Sequence, residues 1–559
     1  MKSLNLSLTN KIILALGATT ALVALFPWFF ERRGSILGIS YSLRSMGNIF
    51  SVLLVLLGLS LLWPNRLRDH LQSLKTHVDS LKNGELLWLI SACAFFYAVG
   101  VISHKLRAHV NLDTHAHDLG FFSNICWNTS RGDWFYSSLL ERNFMAVHVN
   151  WILWPLSIFY TWGGDATVLL VAQAVCVAAA VPFLWLTVKR ITGSAAIGLL
   201  GSIMFVCSPI VGQFVSNDFH PDIWQIPCLM AALWALEREA PWEMLLYTTL
   251  AFLAKEDVSF IVAGFALFLM IRPGKRLWGA GLLLLAGAAF IFHTQFFTPH
   301  FIDGNRGSLL FERYTILGNN YKDMAYNLFF KPIVYLQALT HEPSKYWRWA
   351  CYFFPAAGLT FLAPVFLIPP VLSVLPHLLS QATNQLSLAD IYSMPSQPFI
   401  FVGAAVGLKR LLQHPKAARA HRLLAAGGLI IAGIGVFQSP RYYHATTENR
   451  MNAFRELKKT IPPNASVAAQ QSLVPHFDTR RAIQLFPMSL TMGTLQSRYL
   501  ANPAYIVCDQ FGNSIPFDSD GLRNAIGTVR QEKKYKEIFN KEGFLVFQRI
   551  ADEPPVWKS

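Results

Sequence analysis

Long apolar runs constrain this chain more than any other feature of its sequence. A helix needs about 20 mostly apolar residues to cross the hydrocarbon core of a bilayer. The runs at residues 12–30, 168–188, 198–215 and 277–297 reach about that length. Only 14% of the 559 residues are charged, against about 25% in soluble domains. The sequence therefore predicts an all-α, multi-pass membrane protein.

Loop charge predicts the orientation of the helices. Hydropathy places about thirteen spans at roughly residues 11–30, 47–64, 86–103, 166–188, 195–215, 222–237, 243–254, 257–271, 277–297, 349–368, 370–382, 396–411 and 422–438. The basic loops then fall on one side, which the positive-inside rule makes cytoplasmic; they are 65–85, 189–194, 272–276 and 409–422. Loop 31–46, with three arginines, is the exception. The net charge of +15 forms no basic stripe with interleaved aromatics, which argues against nucleic-acid binding.

The segments that contain the candidate catalytic residues are predicted to lie on the opposite, extracytoplasmic face. They include loops 104–165 and 298–348, together with the tail from residue 439. In the tail, short apolar runs alternate with polar, helix-compatible stretches, which is typical of a small α/β unit. We therefore predict a transmembrane hairpin over 1–64, a cytoplasmic connector helix over 65–85, a helical core over 86–438 and an extracytoplasmic α/β domain over 439–559.

The motif Lys255-Glu256-Asp257 interrupts an apolar stretch that runs from residue 244 to residue 271. One continuous helix would place three charges near the middle of the bilayer, at about 2.5–3.5 kcal/mol each. Two separate pieces would each be too short to span. We expect a broken pair of helices whose charges line a polar cavity. The alternative is a structural ion pair between Lys255 and a carboxylate.

The first outer loop contains His117 and Asp118, just after the span that ends near residue 103. A carboxylate at the membrane boundary can act as a general base or as a metal ligand. A solvated loop acid or a helix cap is an equally good reading of Asp118.

A second polar group, Asp218, His220 and Asp222, lies between two apolar runs. Together with Asp118, its oxygen and imidazole groups could hold a divalent cation, with Asp218 and His220 as the further ligands. Pro221 and Asp222 also suit the first turn of a helix, so an ordinary capped turn remains open.

Four further residues complete the candidate site. His148 precedes a short Trp-rich segment, 151–162, which is too short to span and suits the headgroup zone. Arg306 and Arg313 lie in loop 298–348, and Tyr392 lies just before a predicted span. An arginine could face a lipid phosphate, although a solvated loop charge is the commoner role.

Taken in order, these residues resemble a bacterial family of uncharacterised membrane proteins. This is the domain-of-unknown-function family "twenty seventy-nine", grouped with the GT-C superfamily of membrane glycosyltransferases. The resemblance covers roughly residues 85–550. The matching stretches are His117-Asp118-Leu119-Gly120, His148 with Trp154-Pro155-Leu156, Asp218-Phe219-His220-Pro221, Lys255-Glu256-Asp257 and, in the tail, residues 461–467 with Val474-Pro475-His476.

The resemblance implies a GT-C fold and transfer of a sugar from a polyprenyl-phosphate donor, usually with inversion. The acidic residue of the first outer loop corresponds to Asp118, the expected general base. GT-C enzymes often carry two acids there, whereas this chain has His117-Asp118, with Asp113 nearby. We expect Lys255, with Arg306 or Arg313, to stabilise the leaving phosphate. Substrate-binding roles are expected for His117, His148, Asp218, His220, Asp222, Glu256, Asp257 and Tyr392.

The sequence is also compatible with two other classes of function. Broken helices with charges near the midplane also occur in transporters and flippases, but those proteins have paired interruptions, and only residues 255–257 form a strong one here. A non-catalytic assembly protein, whose outer tail binds partners, is the third possibility.

Overall fold

The structure is a computed structural model that describes residues 33–36, 39–42, 73, 75–302, 311–340, 356, 358–382, 389–413, 446–486, 499–500, 502–512, 519–531, 533–550 and 557–558. The predicted spans at 11–30, 47–64 and 422–438 lie outside these residues. Within the predicted loop 31–46, strands β1 (Arg33–Ile36) and β2 (Ile39–Ser42) pair antiparallel. In the predicted connector, residues 75–80 are helical.

The body of the chain is helical. Four helices in the described part are long and apolar enough to cross a membrane: Asn83–Val110, Ala166–Thr192, Arg276–His300 and Ile391–Leu411. The helices, numbered along the chain, are α1 Asn83–Val110, α2 Phe121–Ser130, α3 Leu153–Thr161, α4 Ala166–Thr192, α5 Ala195–Val206, α6 Pro209–Ser216, α7 Gln225–Glu237, α8 Pro241–Ala251, α9 Val258–Met270, α10 Arg276–Ile291, α11 Tyr321–Phe330, α12 Pro332–Thr340, α13 Ile368–Leu379, α14 Ala389–Ser393 and α15 Gln397–Gln413.

The first core helix is longer than its predicted span, 86–103. Helix α1 begins at Asn83, inside the predicted connector, and continues to Val110, inside the predicted outer loop. It can continue past the apolar run because Lys105, only 2% exposed, donates hydrogen bonds to the backbone carbonyls of Val215 and Asn217. A buried polar group costs little once it is hydrogen-bonded.

The predicted span 195–215 is bent. Helices α5 and α6 meet at an angle of 46°, and Pro209 begins α6. Proline restricts the residue before it to extended backbone, and Ser208 has ψ 130°. The bend carries the end of α6 to the motif at residues 218–222.

Close helix packing builds the wall around the charged motif 255–257. Helix α4 contacts α1, α5 and α7, whereas α9 contacts α10 and α13. A side chain at Gly264 of α9 would overlap Pro369 of α13, so the absence of a Cβ there allows the two helices to approach closely. Helix α10 continues through a wide π-helical turn, Phe292–Phe297, to His300.

The tail contains a five-stranded sheet made of β5 (Val467–Ala469), β6 (Ile483–Leu485), β8 (Tyr505–Asp509), β9 (Tyr535–Lys541) and β10 (Phe544–Arg549). The strand order is β6-β5-β8-β10-β9; β5 is parallel to β6 and β8, and β10 is antiparallel to β8 and β9. Helices α16 (Glu448–Thr460) and α17 (Ser519–Gln531) flank the sheet. Two short antiparallel pairs lie elsewhere: β3 (Tyr136–Ser137) with β4 (Arg142–Asn143), and β7 (Tyr499–Leu500) with β11 (Trp557–Lys558).

Candidate active site

A cavity of about 430 Å³ lies between α9, α10, α13 and the α11–α12 hairpin. Part of its wall is charged or polar: His148, Lys255, Glu256, Asp257 and Arg313. Most of the remaining wall is apolar or aromatic: Phe260, Phe290, Tyr314, Leu317, Tyr321, Met324, Leu328, Tyr335, Leu375, Pro376 and Leu379. Its size falls within the usual range for ligand pockets, about 300–1,000 Å³.

The charged motif sits where two short helices meet. Helices α8 and α9 have 11 and 13 residues, or about 16 and 20 Å, so neither alone reaches across a core of about 30 Å. Between them, Lys255 and Glu256 are 4% and 5% exposed. The Nζ atom of Lys255 lies 3.1 Å from Asp257 Oδ2 and 5.0 Å from the centre of the Tyr392 ring.

His148 is fixed by Glu256, which lies 108 positions later in the chain. Its Nδ1–H donates to Glu256 Oε1 at 2.7 Å, and the Val149 N–H donates to Oε2 at 2.9 Å. Burial lowers the pKa of His148, although the Glu256 carboxylate opposes that effect. The lowered pKa favours the uncharged ring, in which Nδ1 carries the proton that is donated to Glu256.

A second histidine–carboxylate pair lies in the 218–222 motif. His220 Nδ1 is 2.5 Å from Asp222 Oδ2, and Gln225 Nε2–H donates to Asp222 Oδ1 at 3.0 Å. Burial alone would lower the pKa of His220, but the carboxylates of Asp222 and Asp118 raise it, against an opposing effect of Lys255.

Asp118 occupies a strained backbone conformation. Its φ of 68° and ψ of −81° resemble the classic γ-turn, which is rare for any residue with a side chain. Such conformations cost about 1–3 kcal/mol and cluster at functional sites. Just before it, His115 donates to Asp218 Oδ2 from both its backbone N–H (2.8 Å) and its Nδ1 (3.1 Å). Loop 115–120 is thereby attached to the 218–222 motif.

The structure brings the predicted site residues into two neighbouring groups. His148, Lys255, Glu256, Asp257 and Arg313 line the cavity, and Tyr392 contacts Lys255. His117, Asp118, Asp218, His220 and Asp222 lie off the cavity wall, in loops 115–120 and 217–222. Arg306 lies outside the described residues. In the part of the chain that the structure describes, no group of three His, Cys, Asp or Glu side chains could hold a metal ion.

Sequence reasoning missed two polar residues that support the 218–222 motif. Besides Lys105, Gln173 of α4 donates from Nε2 to the carbonyl of Phe214 (3.1 Å), and its Oε1 accepts the His220 N–H (2.9 Å). Both residues lie in apolar helices, where polar side chains usually have a functional reason. A lysine and a glutamine within apolar helices can be recognised from the sequence alone.

We expect Lys105→Met to lower the thermal stability of the purified protein. The substitution keeps the length of the side chain but removes the donor to the buried Val215 carbonyl and one of the two donors to the Asn217 carbonyl, a loss of about 1–3 kcal/mol. Arg107→Met is the matched control, because the Arg107 Nε–H donates within its own helix, to Ser103. Equal melting temperatures for the two variants would contradict this role of Lys105.

No curated protein matches this chain. Two crystal structures of ArnT from Cupriavidus metallidurans are similar. The one bound to undecaprenyl phosphate has TM-score 0.47 and 10% identity, covering 84% of this chain and 99% of that one. The apo structure has TM-score 0.43 and 12% identity, covering 79% and 95%.

One family model covers most of the chain. It is described as "Predicted membrane protein (DUF2079)" and matches residues 108–546. That range includes residues 115–120, the residues of the cavity wall and the five strands of the tail sheet as far as residue 546. The chain therefore belongs to the DUF2079 family of membrane proteins.

Proposed function

We propose that this chain is a GT-C-type, inverting membrane glycosyltransferase that moves a sugar from a polyprenyl-phosphate donor to an extracytoplasmic acceptor. The observation that carries the proposal is the composition of the cavity wall, where charged side chains adjoin a long apolar surface. A polyprenyl-phosphate sugar has the same division, with an anionic phosphate between a polar sugar and a hydrocarbon chain. The hydrocarbon chain would lie along the apolar side chains, such as Phe260 and Leu375.

Arg313 is the best candidate for binding the donor phosphate. Within the described ranges, no carboxylate lies within ion-pair distance of its guanidinium. By contrast, Asp257 already compensates the charge of Lys255, the residue that the sequence favours for this role. The planar guanidinium also matches a phosphate with two parallel hydrogen bonds. In this proposal, Lys255 adds to the positive potential but does not provide the main contact.

The acceptor would enter from the side of Asp118. Its hydroxyl oxygen forms the new bond to the anomeric carbon, and its proton passes to the Asp118 carboxylate. The bond between the anomeric carbon and the phosphate oxygen breaks at the same time, and polyprenyl phosphate leaves with the electron pair. His117, Asp218, His220 and Asp222 would orient the acceptor. The acceptor is a glycan, a lipid or a protein that carries this hydroxyl.

This proposal requires the site to face outwards. We propose the orientation predicted from loop charge, with about thirteen spans, an outer site and an extracytoplasmic tail. In support, the basic loop 189–194 and the connector lie together: Ser194 Oγ–H and the Ala196 N–H both donate to Asp79 Oδ1 at 3.0 Å.

An assay with purified protein in nanodiscs tests the proposed function. A panel of polyprenyl-phosphate sugars is added with an extract of envelope acceptors, and released polyprenyl phosphate is measured. We expect release that depends on both donor and acceptor. Movement of intact donor across liposome membranes without release would instead identify a flippase, and neither activity would favour an assembly role.

A further inference from the structure

The loop between β5 and β6, residues 470–482, lies against the first outer loop. The Ala116 N–H donates to the Gln471 carbonyl at 2.8 Å. Four positions later, Gly120 packs so closely that an added Cβ would lie 3.0 Å from Cγ1 of Val474. The tail thus contacts the chain on both sides of the strained Asp118.

Asn124, in the helix that follows Asp118, links these two parts through two hydrogen bonds. Its Nδ2 group donates to the carbonyls of Asp478 (2.8 Å) and Arg480 (3.1 Å). Its Oδ1 accepts the Ser138 N–H at 2.8 Å and one Nδ2–H of Asn128 at 3.1 Å. The side chain is fully buried and uses its whole hydrogen-bonding capacity.

The tail loop is itself firmly anchored. It begins directly after β5, which pairs with β6 on one side and β8 on the other. The first residue of the loop, Gln470, accepts the Asp509 N–H on its Oε1 at 2.8 Å. At its other end, the Arg480 Nη1–H donates to the carbonyl of Ala465, which lies outside the loop just before β5, at 3.0 Å. A segment held in this way can impose a conformation on its neighbour.

We infer that Asn124 is a positioning residue, which ties loop 115–120 to the sheet of the tail and thereby holds the carboxylate of Asp118 in its reactive place. The tail is then part of the active site rather than a separate partner-binding unit. This inference rests on the proposed function, because it assigns the tail a role in the reaction of Asp118.

The substitution Asn124→Asp tests the inference. It keeps the size of the side chain and the acceptor for Ser138, but it places a carboxylate against two carbonyl oxygens. Because a misplacement of about 1 Å can cost about 10²-fold in rate, we expect kcat to fall about 10- to 100-fold, with the KM for donor unchanged. In an Asp118→Asn background the same substitution should have no further effect on kcat, whereas a purely structural defect would still add.

A second pair of variants does not depend on Asn124. Gly120→Ala introduces a methyl group against Val474 at a helical φ of −63°, so it strains the contact and not the backbone. We expect a loss of kcat that Val474→Ala, combined with Gly120→Ala, restores. Lys541→Ala, at an exposed ion pair of the tail, is the control.

Two results would overturn the inference. One is wild-type kcat for both Asn124→Asp and Gly120→Ala while Asp118→Asn is inactive. The other is a loss in Gly120→Ala that Val474→Ala does not restore. A different result would contradict the proposed function itself. If Asp118→Asn released polyprenyl phosphate at the wild-type rate, Asp118 would not be the base. Should Asn124→Asp fail to fold, the Gly120 and Val474 variants decide alone.

Discussion

Asp118→Asn should reduce the rate of sugar transfer at least about 10²-fold, the usual contribution of a general base. The carboxamide keeps the shape of the side chain, and asparagine tolerates a positive φ about as well as aspartate does. The strained turn at φ 68° should therefore persist, while the proton acceptor is lost. The measurement is the initial rate of polyprenyl phosphate release at saturating donor.

Asp113→Asn is the control for this prediction. Asp113 lies in the same loop, five residues earlier, so its substitution makes the same change of charge close by. We expect it to keep most of the activity. If Asp113→Asn loses the activity and Asp118→Asn does not, the base has been assigned to the wrong carboxylate.

Arg313→Gln should lower kcat/KM for the donor about 10- to 100-fold. A hydrogen bond to a charged group contributes about 1.5–3 kcal/mol, and about 1.4 kcal/mol corresponds to a factor of ten. The loss should appear partly in kcat, because negative charge on the phosphate grows as the bond to the sugar breaks. Arg313→Lys should recover only part of it, since an ammonium lacks the planar fork of the guanidinium.

Arg455→Gln is the matched control, because Arg455 is exposed on α16 and lies in the tail, away from the cavity. It should behave as the wild type. Equal kcat/KM for Arg313→Gln and Arg455→Gln would remove Arg313 from the phosphate site. In that case Lys255→Met should be measured next, because Lys255 is the other basic side chain on the described cavity wall.

The break at residues 255–257 could be predicted from the sequence because it follows from one local energy. Three adjacent charges in the middle of an apolar run are too costly for a continuous helix. The structure has two short helices there, and Lys255, Glu256 and Asp257 line a cavity. A prediction of this kind needs no knowledge of which segments meet.

Partners far apart in the chain could not be predicted in this way. The contact of His148 with Glu256 joins residues 108 positions apart, and that of Asn124 with Arg480 joins residues 356 apart. Such pairs depend on how the helices pack, which hydrophobic periodicity does not encode. The strained φ of Asp118 is likewise imposed by its surroundings.

Two residues in the sequence indicated details of the helices that the strong hydropathy pattern obscures. Pro209 indicated the bend in the predicted span 195–215, because proline constrains the residue before it. Its neighbours are so apolar that a single span was the simpler prediction. Lys105 lay just beyond the predicted end of its span, yet the helix continues past it, because its charge meets two carbonyls from the end of α6.

A structure of the protein in a lipid nanodisc, determined with bound polyprenyl phosphate, tests the central claim most directly. We predict phosphate density at hydrogen-bond distance, about 3 Å, from the Arg313 guanidinium. The first isoprene units should lie along Phe260 and Leu375. Phosphate density bound elsewhere, with the cavity at residues 255–257 empty, would contradict the account.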